Sequence, residues 1–384
     1  MLPSQRDRFD MPREVCFLNA AAWSPLPLAS VEAGRIAAAR KGRPWEVPAG
    51  FDEEQFARAR TAAAALIKAA PADIALISSV GYGVSTAAKI LDLAPGSRIL
   101  VLDRDHTSPV LEWLARQQAA QYEIDTVSPG EDRDWTAALL EAIARPGARP
   151  VALASISNVH WSDGGLIDLD RVQAALRAQG GRLLVDATHG AGVLPLDMAS
   201  LDPDFMIFPT YKWLLGPYGR AFLYVAKRHQ GGVPLEQTSY GRKRVRAEDA
   251  QYFTDLDYVE GARRFDMGER DFFVNLDVAS TSMELLLSWG LEPVRRRLAM
   301  LTRRLEAGLR ERQVPVSLLR EELRTPNILS LGFPAGMPEG LAARLAAAQV
   351  YAAPRLGRLR ISPHVYNDEA DCDRCVAVLA EVLR

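Results

Sequence analysis

Between about residues 55 and 225, short apolar runs alternate with longer stretches rich in Ala, Leu and Arg. The runs IALISS, RILVLD, PVALASIS, RLLVDA, FMIFPT and AFLYV have the length and composition of buried strands. Between them, DWTAALLEAIARPG and DLDRVQAALRAQGG place apolar residues at helical spacing and close on Gly or Pro. This alternation predicts an α/β fold: a mostly parallel central sheet covered by helices on both faces. Such sheets bind ligands beyond the carboxyl ends of their strands. The polar residues there are Ser78 and Ser79, Asp103 to His106, Ser157 and Asn158, Asp186 to His189, and Thr210 to Lys212.

From about 226 to 275 the chain turns polar and Arg-rich, with GRKRVRAED and GARRFDMGERD. One long helix is expected over about 276–312, leading into a smaller C-terminal α+β unit with NILSLGF and RLRISP as strands. The expected organisation is an N-terminal active-site segment (1–25), a large domain (26–275), and a linking helix with a small domain (276–384).

Composition narrows the function. The 384 residues are 48% hydrophobic and 24% charged, with a net charge of −2, which offers no basic surface for nucleic acid or anionic membrane. The N-terminus has no apolar core of signal-peptide length, and no run of about 18 apolar residues occurs, so a soluble cytoplasmic protein is expected. Three cysteines, Cys16, Cys372 and Cys375, are too few for a disulfide framework. The pair in CDRC has zinc-like spacing but no second pair, and the histidines form no HExxH pattern, so no metal is expected.

Candidate chemistry starts at PTYKWLLGPYGRAFLYV, where Lys212 lies between two apolar runs. An ammonium in that setting shifts its pKa, finds a partner or does chemistry. Asp186 closes another apolar strand in GRLLVDATHGAG; it caps the next helix or pairs with a cation. ISSVGYGVSTAAKIL reads as strand, turn and helix, and a helix start offers free N–H groups to a phosphate. Gly81-x-Gly83, with Asp103 ending the next strand, also imitates a dinucleotide fingerprint, but Thr86 replaces its third glycine. A nicotinamide-dependent oxidoreductase therefore stays as the alternative of a different class, and it leaves Lys212 without a task. Lysine, carboxylate and phosphate-binding helix start together favour pyridoxal phosphate, whose cationic ring is the electron sink for a substrate carbanion.

These motifs, in this order, resemble the fold-type I pyridoxal-phosphate enzymes of the aminotransferase class V family. The likeness is to its branch of cysteine desulfurases, selenocysteine lyases and isopenicillin N epimerase-like proteins. It runs from FLNAAAWSPLP to RISPHVYNDEADCDRCVAVL and implies a pyridoxal-phosphate-dependent transferase-like fold and a homodimer. By the resemblance, Lys212 holds the cofactor as a Schiff base and shuttles the Cα proton, Asp186 pairs with the pyridine nitrogen, and His106 in DHTSPVLEW stacks on the ring. Asn158 and His189 take positions near the phenolic oxygen, Val80 and Gly81 match the phosphate turn, and Tyr211 lies on the phosphate side. Arg360 in RISPHVYN matches the arginine that grips the substrate α-carboxylate, and Trp23 belongs to the segment that edges the pocket. His160 is expected to be a packed loop histidine, and His364 lies near the carboxylate anchor.

The chain departs from the family pattern at several points. Val80-Gly81 replaces hydroxyl residues, Pro209 replaces Ser three residues before the lysine, and Gly268-Glu269 replaces a Gly-Thr from the partner subunit. Phosphate binding is then expected to rest on backbone N–H groups, Ser79, Thr210, Tyr211 and Arg270. Residues 315–360 contain no cysteine, so no thiolate is placed to receive a persulfide, and a persulfide-forming desulfurase is disfavoured. The expected activity proceeds on an α-amino acid through an external aldimine and Cα deprotonation. Transamination is favoured, with Cβ–S elimination or epimerisation as alternatives on the same scaffold.

Overall fold

The computed structural model describes residues 2–245, 253–271 and 273–383. Its strands are β1 (Cys16–Phe17), β2 (Ile74–Ile77), β3 (Arg98–Leu102), β4 (Glu123–Val127), β5 (Val151–Ser157) and β6 (Arg182–Asp186). They continue with β7 (Phe205–Pro209), β8 (Ala221–Val225), β9 (Leu329–Leu331), β10 (Val350–Tyr351), β11 (Ala353–Arg355) and β12 (Arg358–Ile361). The helices begin with α1 (Leu28–Lys41), α2 (Phe51–Leu66), α3 (Val80–Ile90), α4 (Thr107–Ala120), α5 (Trp135–Ala144) and α6 (Leu169–Arg177). Then come α7 (Met198–Leu201), α8 (Asn275–Trp289), α9 (Leu291–Glu311), α10 (Leu341–Ala347) and α11 (Glu369–Val382).

Seven strands form the central sheet in the order β2-β8-β7-β6-β5-β3-β4. β7, β6, β5, β3 and β4 run parallel, and β8 is antiparallel to both its neighbours. The pleat sorts side chains by parity. Ile77, Ile99, Leu184, Phe205 and Ile207 pack under α3 and α4, while Leu76, Leu100, Val185, Met206 and Phe208 join the larger core on the other face. All six strands expected between 55 and 225 are present. β4 is not evident in the sequence because EIDTV lies at the sheet's edge, with only its last residue buried, and lacks a continuous apolar run.

The single long helix expected over 276–312 is two helices. Gly290, at φ +81° and ψ +131°, breaks it; α8 packs on α1 and α2, and α9 packs on α11. Antiparallel β11-β12-β9 forms a second sheet, and β1 pairs in parallel with β10. Cys372 and Cys375 lie buried in α11, where the Cys372 thiol donates to the Leu301 carbonyl at 3.6 Å. Among the described residues, no helix is long and apolar enough to cross a membrane.

Two features position the site. β8 returns directly from β7, so the loop carrying Lys212 is short and tied at both ends: Thr210 N–H donates to Arg220 O (3.0 Å), and Gly216 N–H to Thr210 O (2.9 Å). The second is α3. Gly83 lets it lie flat on the sheet, since a Cβ there would come within 2.9 Å of Ile207 Cδ1 and 3.0 Å of Ile77 Cδ1. The glycine that imitated a dinucleotide fingerprint is a packing glycine. Gly83→Val should therefore lower the unfolding free energy by about 1–3 kcal/mol through overpacking. Gly81→Ala, whose Cβ meets nothing closer than Ser79 Oγ at 3.9 Å, should stay within about 0.5 kcal/mol. Urea melts of the two variants make the comparison; equal losses would contradict it.

Candidate active site

At the carboxyl edge of the sheet, Ser78, Ser79 and Val80 from the start of α3 face Lys212, Tyr211, Tyr218, Gly219 and Arg220 of the lysine loop across a cavity of about 130 Å³. His106 at the start of α4 and Thr188 after β6 complete its wall. The larger cavity of about 490 Å³ lies elsewhere, beside β4 and α5, away from these residues.

Lys212 is 5% exposed. Burial, reinforced by the Arg360 charge and opposed by Asp186, pulls its pKa from 10.5 down to about 7. Its Nζ stands 3.5 Å from His189 Nε2. Trp213 Nε1, a donor only, donates to His189 Nδ1 at 3.0 Å. Burial, and then Lys212, push the His189 pKa well below 6.5, so the ring is neutral and its proton lies on Nε2. That N–H points at Lys212 and requires an acceptor there, so the imidazole also favours the neutral amine.

Asp186 ends β6, buried, with Oδ1 accepting from Thr188 N–H at 2.9 Å and from the Thr188 hydroxyl. Both bonds fall on Oδ1, and Oδ2 has no protein donor among the described residues. Thr188 therefore aims the carboxylate, a role the sequence reading missed. Asn158, at the end of β5, is buried with Oδ1 unpartnered, and a Cβ on Gly190 would overlap its Nδ2. His106 caps α4. Its N–H donates to Asp105 Oδ1 (2.7 Å), and that carboxylate also accepts from the Ser157 hydroxyl (2.8 Å). Trp161 meets the His106 ring edge-on at 6.3 Å.

Arg360, on β12, is buried and donates from Nη1 to the Trp161 carbonyl at 2.6 Å. Its Nε has no partner and no carboxylate pairs with it among the described residues. Burial, then Arg355, lower its pKa to about 9. Trp23 is 64% exposed and stacks on Tyr218 with centroids 5.7 Å apart, which puts it on the rim. The N-terminal segment is held there by Ser24 N–H donating to Tyr211 O at 3.1 Å.

Several expected cofactor contacts are engaged elsewhere. The Thr210 hydroxyl donates to the Pro217 carbonyl at 2.6 Å, so it closes the lysine loop. Arg270 pairs with buried Asp266 at 3.2 Å and lies over Phe56 and Tyr240. Ser79 lines the cavity; its hydroxyl accepts from Tyr82 N–H at 3.1 Å as the cap of α3 and keeps its own proton to donate. Gly81 sits in the first turn of α3, just behind Val80. His160 is packed as expected, stacked on Trp135 at 4.5 Å and bonded to the Asp103 carbonyl at 3.2 Å. His364 is likewise satisfied: Nε2 donates to Trp213 O (3.2 Å), Nδ1 accepts from Val365 N–H (2.7 Å), and burial lowers its pKa to about 4.

A buried amine that is neutral near pH 7, a buried carboxylate across the sheet edge and a helix start on the same cavity form a donor set that fits pyridoxal phosphate. Comparison with known proteins agrees. Residues 49–374 match the aminotransferase class-V family. The chain belongs to that family. It is accordingly a pyridoxal-phosphate-dependent enzyme.

Among class-V relatives, an uncharacterized aminotransferase of Bacillus subtilis, YcbU, is 25% identical over 88% of this chain and 86% of its own. A kynureninase of Myxococcus xanthus is 30% identical over 65% of this chain and 59% of its own length. Two solved structures share the fold. The cystine C–S lyase C-DES, in complex with cysteine persulfide, has a TM-score of 0.85 and 21% identity, covering 96% of this chain and 98% of that one. An apo cysteine desulfurase of Thermococcus onnurineus has a TM-score of 0.83 and 19% identity, with 98% and 97% covered.

The lysine environment sets a pH dependence. The neutral amine is the form that bonds a carbonyl carbon, so uptake of pyridoxal phosphate by the apo-protein should rise about tenfold per pH unit below 7. It should level off above about pH 8, well before an ordinary lysine would. Stopped-flow absorbance at several pH values measures this. A rate still climbing at pH 9.5 would show that Lys212 is not depressed.

Proposed function

We propose that this enzyme transaminates an α-amino acid. The observation that carries the reading is Lys212, a buried amine whose pKa falls to about 7, beside His189 and across the sheet edge from Asp186. Bound pyridoxal phosphate supplies a carbonyl carbon for the amino group and a cationic ring that takes up the electron pair left at Cα. Asp186 Oδ2, with Oδ1 fixed by Thr188, holds the ring nitrogen protonated. His189 offers Nε2–H, and Asn158 its side chain, to the phenolic oxygen. His106 would cover the ring face, and Val80, Gly81 and Tyr211 would lie on the phosphate side.

Arg360 takes the substrate carboxylate. It is buried and, among the described residues, pairs with no carboxylate, its one bond being to the Trp161 carbonyl, so an incoming anion meets a largely uncompensated charge. Trp23 edges the entrance. A base with a pKa near the working pH can both accept the Cα proton and give it back, and Lys212 meets that condition. The relative aligned over 88% of this chain also bears the name aminotransferase. No cysteine in residues 315–360 is available as a sulfur acceptor.

Purified enzyme, incubated with an amino-acid panel with and without an added 2-oxo acid, tests the reaction type. Transamination requires the acceptor and yields one new amino acid for each oxo acid formed. Pyruvate with ammonia or sulfide in the absence of an acceptor would replace this reading with Cβ elimination, and inverted Cα configuration would replace it with epimerisation.

Two substitutions test the roles. Asp186→Asn should keep bound cofactor yet lose turnover by roughly 10²-fold or more, because a neutral amide does not hold the ring nitrogen protonated. Unchanged turnover would remove Asp186 from that role. Arg360→Ala should bind cofactor normally but need roughly 30-fold more amino acid for the same spectral change. A simple amine without a carboxylate should be hardly affected; equal weakening toward both would mean Arg360 only supports the fold.

A further inference from the structure

With Thr210 and Arg270 engaged in the protein's own bonds and Ser79 Oγ accepting as the cap of α3, the guanidinium on the cavity wall is that of Arg220. It is 1% exposed and lines the same cavity as Lys212 and the start of α3. Its Nη2 donates to the Arg270 carbonyl, while Nε and Nη1 have no partner; the Asp271 and Asp266 charges reach it, but among the described residues no carboxylate lies within ion-pair distance. Burying a guanidinium in this state is costly unless an anion meets it.

The local backbone is built to hold that side chain in place. Gly219 takes φ +81°, a conformation that L side chains rarely adopt, immediately before Arg220. The Arg220 carbonyl accepts from Thr210 N–H at 3.0 Å, with the Thr210 hydroxyl also 3.2 Å away. So the residue expected to touch a phosphate, Thr210, instead fixes the backbone of one that faces the cavity. Opposite lie Ser79 and Val80. The first-turn amides of Val80 and Gly81 have no intrahelical acceptor, and the positive end of the α3 dipole points the same way.

We propose that Arg220 is the principal side-chain ligand of the cofactor's phosphate, replacing the hydroxyl groups of the family pattern that this chain lacks. The assignment rests on the pyridoxal phosphate site described above. It makes phosphate binding a charge-assisted contact supplied within the chain and completed by the α3 amides. Burial lowers the Arg220 pKa to about 10, which leaves it charged at neutral pH.

The test is cofactor affinity, read on apo-protein by quenching of tryptophan fluorescence, with pyridoxal phosphate and with pyridoxal, which lacks the phosphate. Arg220→Met should weaken pyridoxal phosphate by roughly 30-fold or more and change pyridoxal by less than about threefold. Arg220→Lys should recover part of the loss, since it restores the charge but not the planar donors. Inorganic phosphate alone should compete with pyridoxal phosphate for the wild-type protein, an arm that needs no variant to fold. Unchanged affinity of Arg220→Met for pyridoxal phosphate would overturn the proposal. Equal losses for pyridoxal and pyridoxal phosphate would overturn it too, by making Arg220 a support for the lysine loop, and so would absence of phosphate competition. A wild-type protein that takes up neither compound would overturn the cofactor site itself, and the parent protein alone distinguishes that failure.

Discussion

Buried positive charge without a matching carboxylate is the constraint on which the rest of the site depends. Lys212 and Arg220 line one cavity, and Arg360 is near enough to depress Lys212. Burial lowers all three, to about 7, 10 and 9. Asp186 is the acid that acts on Lys212 against them. Such an arrangement is unfavourable alone and favourable with anions, and a doubly charged phosphate and an α-carboxylate are anions of the right kind. Two other buried arginines do meet a carboxylate. Arg60 and Arg270 share Asp266, whose Oδ1 also accepts from Leu76 N–H at 2.9 Å, which docks the 261–270 segment beside β2. The contrast between Arg270 and Arg220 is therefore between a structural cation and one held ready for a ligand.

The scaffold holds these charges apart through contacts remote from the chemistry. Leu215, in the lysine loop, has φ +56°, an uncommon value for a non-glycine residue. Its carbonyl accepts from the Ser282 hydroxyl of α8 at 2.8 Å, and Ser282 in turn meets Ser30 of α1 at 2.7 Å. Trp213 bonds His189 through its indole and His364 through its carbonyl, and its ring stacks on His364 at 5.5 Å. The residue after the lysine thus fixes the tautomer of the imidazole that faces the lysine. His364, the last histidine in the chain, acts on the site through Trp213, by its carbonyl and its ring.

Strand ends and buried lysines are legible in sequence because they follow from local pattern. An apolar run that stops at Asp186, or at Lys212 beyond Pro209, places a charge at the sheet's carboxyl edge whatever the tertiary detail. Arg360 came from resemblance, since nothing local separates it from Arg355 or Arg358. Which groups meet the phosphate is not legible in sequence for a physical reason: hydroxyl and guanidinium groups are recognised by type, but their partners are set by folding. Thr210 reaches forward seven residues to Pro217 O, and Arg270 finds Asp266 four residues before it. Arg220 drew no notice in the sequence, because a missing partner is a property of space. The same applies to β4, whose pattern is that of an edge, and to Gly290. WGLEP did contain a helix-breaking signal, but one that competed with long apolar periodicity on both sides.

The coupling between these charges bears on how one lysine serves two tasks. To receive the cofactor, the amine must be neutral, and burial with Arg360 nearby makes it so. To remove a Cα proton it must be a competent base, and a pKa held far below its ordinary value weakens it. The proposed role of Arg360 reconciles the two demands. A substrate carboxylate paired with that guanidinium cancels much of the positive field that lowers Lys212, so the amine gains basicity as the substrate seats. An amine lacking a carboxylate provides no such cancellation and meets a weaker base. Recognition and proton transfer are then linked through one electrostatic interaction across the cavity, and substrate selectivity extends from binding into the rate of the chemical step.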